Sequence, residues 1–376
     1  MILTLNAGSS SIKFALFKGA TRLASGLVDR IGAAADLRFH PKEGAAQDVP
    51  LGAVSHRGAL GAILSLIERQ FAQARIEAVG HRVVHGGPRH AAPARITPAL
   101  LPELAALEPF APLHQPHNLA GVRAAMEAFP QAVQVACFDT AFHRTQDFVH
   151  ETYALPRAYY DKGVRRYGFH GLSYASIAGA LARHAPALHA GRVAVAHLGN
   201  GASLCGMIGG RSVATTMGFS PLDGLAMGTR PGQIDPGVLL YLMQHEGMTA
   251  AEISDLLYRR SGLLGLSGLS NDIRQLEASD NPAARQAIRY FTSRIRHEIG
   301  AMAADMGGLD AIVFTGGIGE NSTRVRSEVL AGLDWLGVAS VVEDGTDLAL
   351  GTSRVRALVI GSDEEKIIAD LTRKFC

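Results

Sequence analysis

Residues 3–17 read LTLNAGSSSIKFALF, and the fold turns on this stretch. Ile12, Phe14 and Leu16 alternate with Lys13, Ala15 and Phe17, the period-two pattern of a strand with one well-buried face. The residues before Asn6 form a second short strand, so Asn6, Ala7, Gly8, Ser9, Ser10 and Ser11 make a polar turn between the two. Gly8 permits φ > 0 and leaves room for a ligand, while the serines offer hydroxyls and backbone N–H groups. That combination suits phosphate oxygens, and Lys13 adds a cation just past the serines. An ordinary surface hairpin is the alternative, because short Gly/Ser turns are common. The spacing is not that of a G-x-x-x-x-G-K-[ST] loop.

An echo appears far along the chain, where residues 195–210 read VAHLGNGASLCGMIGG. LNAGSSS lies over LGNGASL without a gap, matching Leu5 to Leu198, Gly8 to Gly201 and Ser10 to Ser203. A repeat at this distance predicts two similar halves, each presenting a turn to a common cleft.

Composition narrows the class. The 376 residues suffice for two domains with their own cores. A hydrophobic share of 47% against 19% charged is globular, and a net charge of +2 points to neither nucleic acid nor an anionic membrane. Cys137, Cys205 and Cys376 are odd in number and far apart, which indicates neither a disulfide framework nor a zinc knuckle. With no signal-like start and no long uninterrupted apolar run, a cytoplasmic protein is expected.

Taken in order, residues 20–50 read as further short strands of the first sheet, and Leu60, Ile63, Leu64, Ile67 and Phe71 give a helix over residues 55–74. In AVGHRVVHGGPRH, Arg82 stands with His81 and His85 beside a Gly86-Gly87-Pro88 turn, placed to fork onto a carboxylate or phosphate, or to make a surface ion pair. His114 and His117 are a candidate metal pair, but without H-E-x-x-H spacing or a nearby cysteine. QAVQVACFDTAFH is a buried strand ending in Asp139, a position for a catalytic carboxylate or for a helix cap. Arg165, Arg166 and His170 gather in the next loop as an anion-site candidate. Residues 215–237 are Gly-rich and aperiodic, with Arg230 as their one cation, which marks a functional loop. Thr249 to Glu252 form a capping box, Asn271, Asp272 and Arg274 occupy a polar loop, and residues 282–306 form a long helix. AIVFTGGIGENS predicts a strand ending at Gly316-Gly317 and a helix opening at Asn321 or Ser322, so that a nucleotide can lie on bare backbone. At the last helix, Glu364 and Glu365 either favour the helix dipole or hold a metal.

NAGSSSIKF, GHRVVHGG, FDTAFH, RRYGFHGLS, HLGNGAS, MGFSPLDGLAMGTR and FTGGIGEN occur in the order found in the acetate kinase family of short-chain carboxylate kinases, which the chain resembles over nearly its whole length. The resemblance implies an α/β fold of two duplicated actin-, hexokinase- and Hsp70-like (ribonuclease H-like) domains with a central cleft. The first would span 1–140 plus 366–376; the second, 141–365, would carry the second phosphate loop and the adenosine site. By position in the matched motifs, Arg82, Asp139, His170 and Arg230 correspond to the family's catalytic set. Lys13, Ser9, Ser11, His197, Asn200, Gly201, Asp272, Arg274, Gly316, Gly317, Gly319 and Asn321 correspond to its ATP site. Val84, Leu113, Phe169 and Pro221 match its apolar acid pocket, and Asn6 and Glu364 its metal site. ATP as co-substrate, Mg²⁺ or Mn²⁺, acetate, acetyl phosphate and a homodimer follow from the same resemblance, with no nucleic-acid or membrane partner. The chain is short for the family between residues 20 and 75, Asp223 and Gln233 stand where Glu and Asp are frequent, and SDEEKIIAD departs from T-N-E-E-x-x-I-A-R-D. That last departure leaves Glu364 and Glu365 both open as the metal-linked residue.

A carboxylate nucleophile is already ionised at pH 7 and needs no general base. Charge repulsion is the obstacle, so cations must neutralise the transferring group. On that logic Arg82 and Arg230 serve the carboxylate and phosphoryl group, His170 the transition state, and Asp139 with Glu364 a metal or the orientation of an arginine. The alternatives are a propionate kinase, a sugar-type kinase using Asp139 as base, and a nucleotide-switched binding protein without an acid pocket.

Overall fold

The opening stretch folds as the antiparallel pair β1 (Ile2–Ala7) and β2 (Ile12–Lys18), with Leu5 opposite Phe14 and Asn6 opposite Lys13. The structure is a computed structural model that describes residues 1–8, 11–71, 75–112, 114–338 and 354–376. The expected site residues Ser9 and Leu113 lie outside the described residues. The chain divides into two compact units, Met1–Phe142 with Asp363–Cys376, and His143–Ser362. Glu364 and Glu365 therefore belong with the first unit.

In the first unit β3 (Thr21–Asp29), β4 (Ala35–Pro41), β5 (Gln47–Gly52), β6 (Ala78–Val83), β7 (Ala94–Arg95) and β8 (Val133–Phe138) complete a sheet of order β5-β4-β3-β2-β1-β6-β8-β7. The second unit holds β9 (Arg192–Leu198), β10 (Ala202–Ile208), β11 (Arg211–Thr215), β12 (Ala311–Thr315) and β13 (Arg356–Val359) in the order β11-β10-β9-β12-β13. The plans coincide. β3-β2-β1 and β11-β10-β9 are antiparallel meanders, while β1-β6-β8 and β9-β12-β13 run parallel. This is the duplicated ribonuclease H-like α/β fold that the family resemblance implies, in the two halves that the repeated hairpin predicts.

The gapless overlay of the two hairpins does not hold at their turns. Ala7 pairs with Ile12, which leaves residues 8–11 as the first turn, whereas Leu198 pairs with Ala202 and leaves residues 199–201. Gly8 therefore opens its turn while Gly201 closes its own, and Ser203 sits within β10.

Burial of the first hairpin also exceeds the expectation. Leu3, Leu5, Phe14 and Leu16 pack against Leu60, Ile63 and Ile67 of the helix His56–Gln70, as an alternating strand should. The opposite face is covered too: Ile2, Ala15 and Phe17 cluster with Ala369 of the helix Glu364–Arg373. β2 thus has two buried faces, because a helix from the end of the chain packs on the one that alternation assigns to solvent. In the second unit the long helix Pro282–Asp305 buries Ile288, Phe291, Ile295 and Ile299 and packs over β9, β10 and β11. The Thr249–Glu252 capping box forms as expected.

Candidate active site

In the first unit the chemistry collects at the ends of parallel strands. Arg82, near the end of β6, meets Asp139, the residue after β8 and the first of a 3-10 turn over Asp139–Thr145. Arg82 Nη2 donates to Oδ2 at 2.6 Å, and Nε lies 3.1 Å from both carboxylate oxygens. Asp139 is 1% exposed and the Arg82 side chain 16%. Arg82 Nη1 also donates to Asn6 Oδ1 at 3.2 Å, and Asn6 Nδ2 donates to Glu364 Oε2 at 3.0 Å. A chain of contacts thus runs from Asp139 through Arg82 and Asn6 to Glu364. Burial alone would pull the guanidinium's pKa down, but Asp139 and the Glu364 charge raise it, so Arg82 is a permanent cation. Glu365 differs from its neighbour. Burial, then the charge of Glu364, pushes its pKa up while Lys13 opposes, and its Oε1 is buried without a hydrogen-bond partner. Ser11 closes the turn by accepting from Gly8 N–H through its carbonyl at 2.8 Å.

In the second unit the hairpin turn is flanked by histidines and an arginine. His170 is the N-cap of the helix Gly171–His184 with φ 57°, and among the described residues only Arg30 is another non-glycine with positive φ. Such a conformation costs about 1–3 kcal/mol and is characteristic of functional positions. Its Nδ1 lies 2.8 Å from Ser203 Oγ, and its ring stacks on His197 at 4.2 Å between centroids. His197 Nδ1 is likewise 2.8 Å from Ser173 Oγ. Two rings are thereby oriented by two serines. A Cβ on Gly201 would stand 2.9 Å from Arg230 Nη2 and 3.2 Å from His170 Nε2, so a side chain there would displace the guanidinium and crowd the ring. Arg230 Nη1 donates to the Pro221 carbonyl at 2.8 Å, and no carboxylate pairs with it among the described residues. Burial lowers its pKa to about 10, which leaves it charged at neutral pH. A partly buried cation without a carboxylate partner has the charge to receive an anion.

The second unit also holds a cleft of about 730 Å³ lined by Gly199, Asn200, Asn271, Arg274, Gly317 and Asn321, with Asp272, Ile273, Glu277, Ile318 and Ser322. Gly317 faces open space, whereas Gly316 has φ 78° and a Cβ there would lie 2.7 Å from the Leu198 carbonyl oxygen. Gly316 and Gly319 are buried and do not line the cleft. Asp272 caps the helix Ile273–Glu277 and is bridged to Arg274 at 2.7 Å. The expected helix start is corrected: Gly316-Gly317 is not a turn but the beginning of the helix Gly316–Asn321, and Ser322 caps a separate helix, Thr323–Leu330. The Gly316 N–H donating to Glu320 Oε1 at 2.9 Å holds that early start.

Two other expectations change. Arg165 and Arg166 are committed to ion pairs with Glu151 at 3.2 Å and Asp223 at 2.9 Å, so of that loop only His170 turns to Gly201. His117 stacks on His56 rather than joining His114, and among the described residues no group of three or more His, Cys, Asp or Glu could hold a metal. Val84, Phe169 and Pro221 are buried, each within its own unit. The sequence reading missed Ser173, which orients His197, and Glu277 in the cleft, neither of which carries a local pattern that marks it; Ser203 it noted only as a match in the repeated hairpin, not as the partner of His170.

Comparison with known proteins accords with this geometry. The model of the acetokinase family matches residues 1–370. An acetate kinase of Methylocella silvestris is 53% identical, covering 98% of this chain and 96% of that protein. Among solved structures, the acetate kinase of Porphyromonas gingivalis matches with TM-score 0.87 at 37% identity over 99% of this chain and 98% of that one. A propionate kinase of Francisella tularensis matches with TM-score 0.92 at 34% identity over 99% of both chains. The doubled five-strand plan sets the class as a duplicated ribonuclease H-like protein. The chain belongs to the acetokinase family.

Proposed function

We propose that the chain transfers the terminal phosphoryl group of ATP to acetate, reversibly, giving acetyl phosphate and ADP by direct in-line displacement. The Arg82–Asp139 pair carries the reading. With its carboxylate oxygens engaged by Arg82, Asp139 orients a cation instead of taking a proton, which suits an acceptor that is ionised before it binds. Arg82 and Arg230 are assigned to the acid's carboxylate and the transferring phosphoryl group, and His170 to charge developing on the transferred oxygens. Lys13 and the turn of the first unit, with His197, Asn200 and Gly201 of the second, are assigned to the phosphates. The cleft beside Asn271, Gly317 and Asn321 is assigned to adenosine, which gives the second unit the base and sugar as well as a share of the phosphates.

The residues fit Mg²⁺. Glu364 offers a carboxylate oxygen, Asn6 Oδ1 keeps one lone pair beyond the bond it accepts from Arg82 Nη1, Glu365 leaves a buried carboxylate oxygen without a partner, and Mg²⁺ commonly takes one or two protein carboxylates and draws its remaining ligands from phosphates and water. Asn6 and Glu364 would hold the ion, whose charge would offset that of the phosphate oxygens. A homodimer is also proposed. The helix Pro236–Gln244, PGVLLYLMQ, has no buried residue, and Leu240, Tyr241 and Met243 are each at least half exposed, a surface that a second copy would cover. No described helix is long and apolar enough to cross a membrane; the three free cysteines suit a reducing cytoplasm.

Propionate is the second reading, favoured by the match to the Francisella propionate kinase. ADP release measured with acetate, propionate, butyrate and glucose tests both. Acetate should give the highest kcat/KM, with propionate lower by about 10- to 200-fold, the discrimination one methylene allows. Turnover of glucose with neither acid active would overturn the proposal.

A further inference from the structure

The His56 ring contacts the phosphate turn and has no part in the reaction just assigned. His56 is the first residue of the helix His56–Gln70. Its Nε2 is 2.8 Å from the carbonyl oxygen of Gly8. A carbonyl oxygen only accepts, so Nε2 carries a proton and donates. The preceding carbonyl is held as well: Asn118 Nδ2, from the helix Gln115–Ala128, donates to Ala7 O at 2.5 Å. Two consecutive backbone carbonyls at the end of β1 are thus tied to side chains of two different helices. The His56 ring is itself supported, stacking on His117 of the second helix at 4.4 Å between centroids and 22° between planes. Both rings border a cavity of about 230 Å³ with Ala7, Ile12, Arg57, Arg123 and Glu127, and Arg57 is paired with Glu127 at 3.1 Å. Burial, then the His56 ring, lowers the His117 pKa, which favours a neutral supporting ring.

We propose that His56 is a positioning residue for phosphate binding: its bond to the Gly8 carbonyl fixes that end of the turn relative to Asn6 and Lys13, and His117 braces the ring that makes the bond. The inference rests on the reading of this turn as a phosphate site. A turn tethered beforehand loses less conformational freedom when phosphate binds, so its loss should fall on ATP affinity more than on the chemical step.

The test uses the full chain with His56→Ala, His56→Gln and His117→Ala. His56→Ala should raise the KM for ATP by about 3- to 10-fold, the range expected for one hydrogen bond, with a smaller effect on kcat and on the KM for acetate. His56→Gln, which keeps a donor near the position of Nε2, should restore most of the affinity, and His117→Ala should move KM in the same direction by less. Deuterium exchange of the peptide spanning residues 3–17 should quicken in His56→Ala and recover in His56→Gln. Wild-type KM and wild-type exchange in His56→Ala would overturn the inference, as would failure of the glutamine to rescue either. A wild-type protein without acetate-dependent ADP release would instead overturn the functional reading, while the exchange comparison still judges the tether.

Discussion

Arg82 and Asp139 face one another from the ends of neighbouring parallel strands, with Nη2 2.6 Å from Oδ2 and Nε 3.1 Å from both oxygens. The register that pairs Arg82 with Cys137 and Val83 with Phe138 brings them together, so the site follows from the sheet. Asp139→Asn should remove the charge that aims the guanidinium and lower kcat by about 10²-fold or more, in the range seen when a charge-stabilising group is lost. The acid limb of the pH–rate profile should persist in the variant, because the acceptor needs no base. Disappearance of that limb would favour the sugar-kinase reading. Melting curves should also show a loss of stability, since Arg82 is left in a largely buried site with a weaker partner.

Arg230→Ala should depress kcat by about 10²- to 10³-fold while changing the KM for ATP much less, because its charge acts on the developing transition state. Arg230 lacks a carboxylate partner among the described residues, so its removal strands no buried acid and the fold should hold. Steady-state kinetics with unchanged kcat would remove it from the mechanism.

Acid should destabilise the protein through histidines buried in the neutral form. Burial lowers the pKa of His81 to about 4, His85 to about 3 and His143 to about 4. Below the unfolded value of about 6.5 the unfolded chain binds protons that the folded chain refuses, so stability is full above that pH and declines as pH falls towards the folded values. Thermal melts from pH 7.5 to 4.5 should show Tm falling mainly below pH 6.5, less steeply in His143→Gln. His143 accepts at Nδ1 from Ser212 Oγ and donates through Nε2 to the Phe169 carbonyl, next to the strained His170, so the same variant should also lower kcat. A Tm independent of pH over that range would contradict the assignment.

Much of the candidate site was legible because its residues are marked locally. Gly8 and Gly201 fall in polar turns between strands, Arg230 is the one cation of an aperiodic Gly-rich loop, and Asp139 follows a buried strand. What escaped depends on distant partners. Arg166 reads as a free cation until Asp223 reaches it, and the second buried face of β2 exists only because Ala369 packs there. The start of the helix at Gly316 depends on a φ of 78° beneath the Leu198 carbonyl, a tertiary constraint that a Gly-Gly pair does not announce. The duplication into two similar halves was legible from the repeated hairpin, but the differing turn lengths were not, since a gapless overlay cannot see where each ladder stops.

Leu240→Glu combined with Met243→Glu should convert a dimer to a monomer by placing charge on the helix Pro236–Gln244, with the fold intact because neither side chain is buried. Light scattering coupled to size exclusion reads the change. A monomeric wild type would remove the proposed interface.

The most direct measurement mixes the protein with ATP, Mg²⁺, acetate and hydroxylamine and follows acetyl hydroxamate, which forms only if the carboxylate has been activated as an acyl phosphate. The account predicts hydroxamate in step with ADP, dependent on acetate and nearly abolished in Arg230→Ala. ADP release without hydroxamate, or at the same rate without acetate, would contradict it.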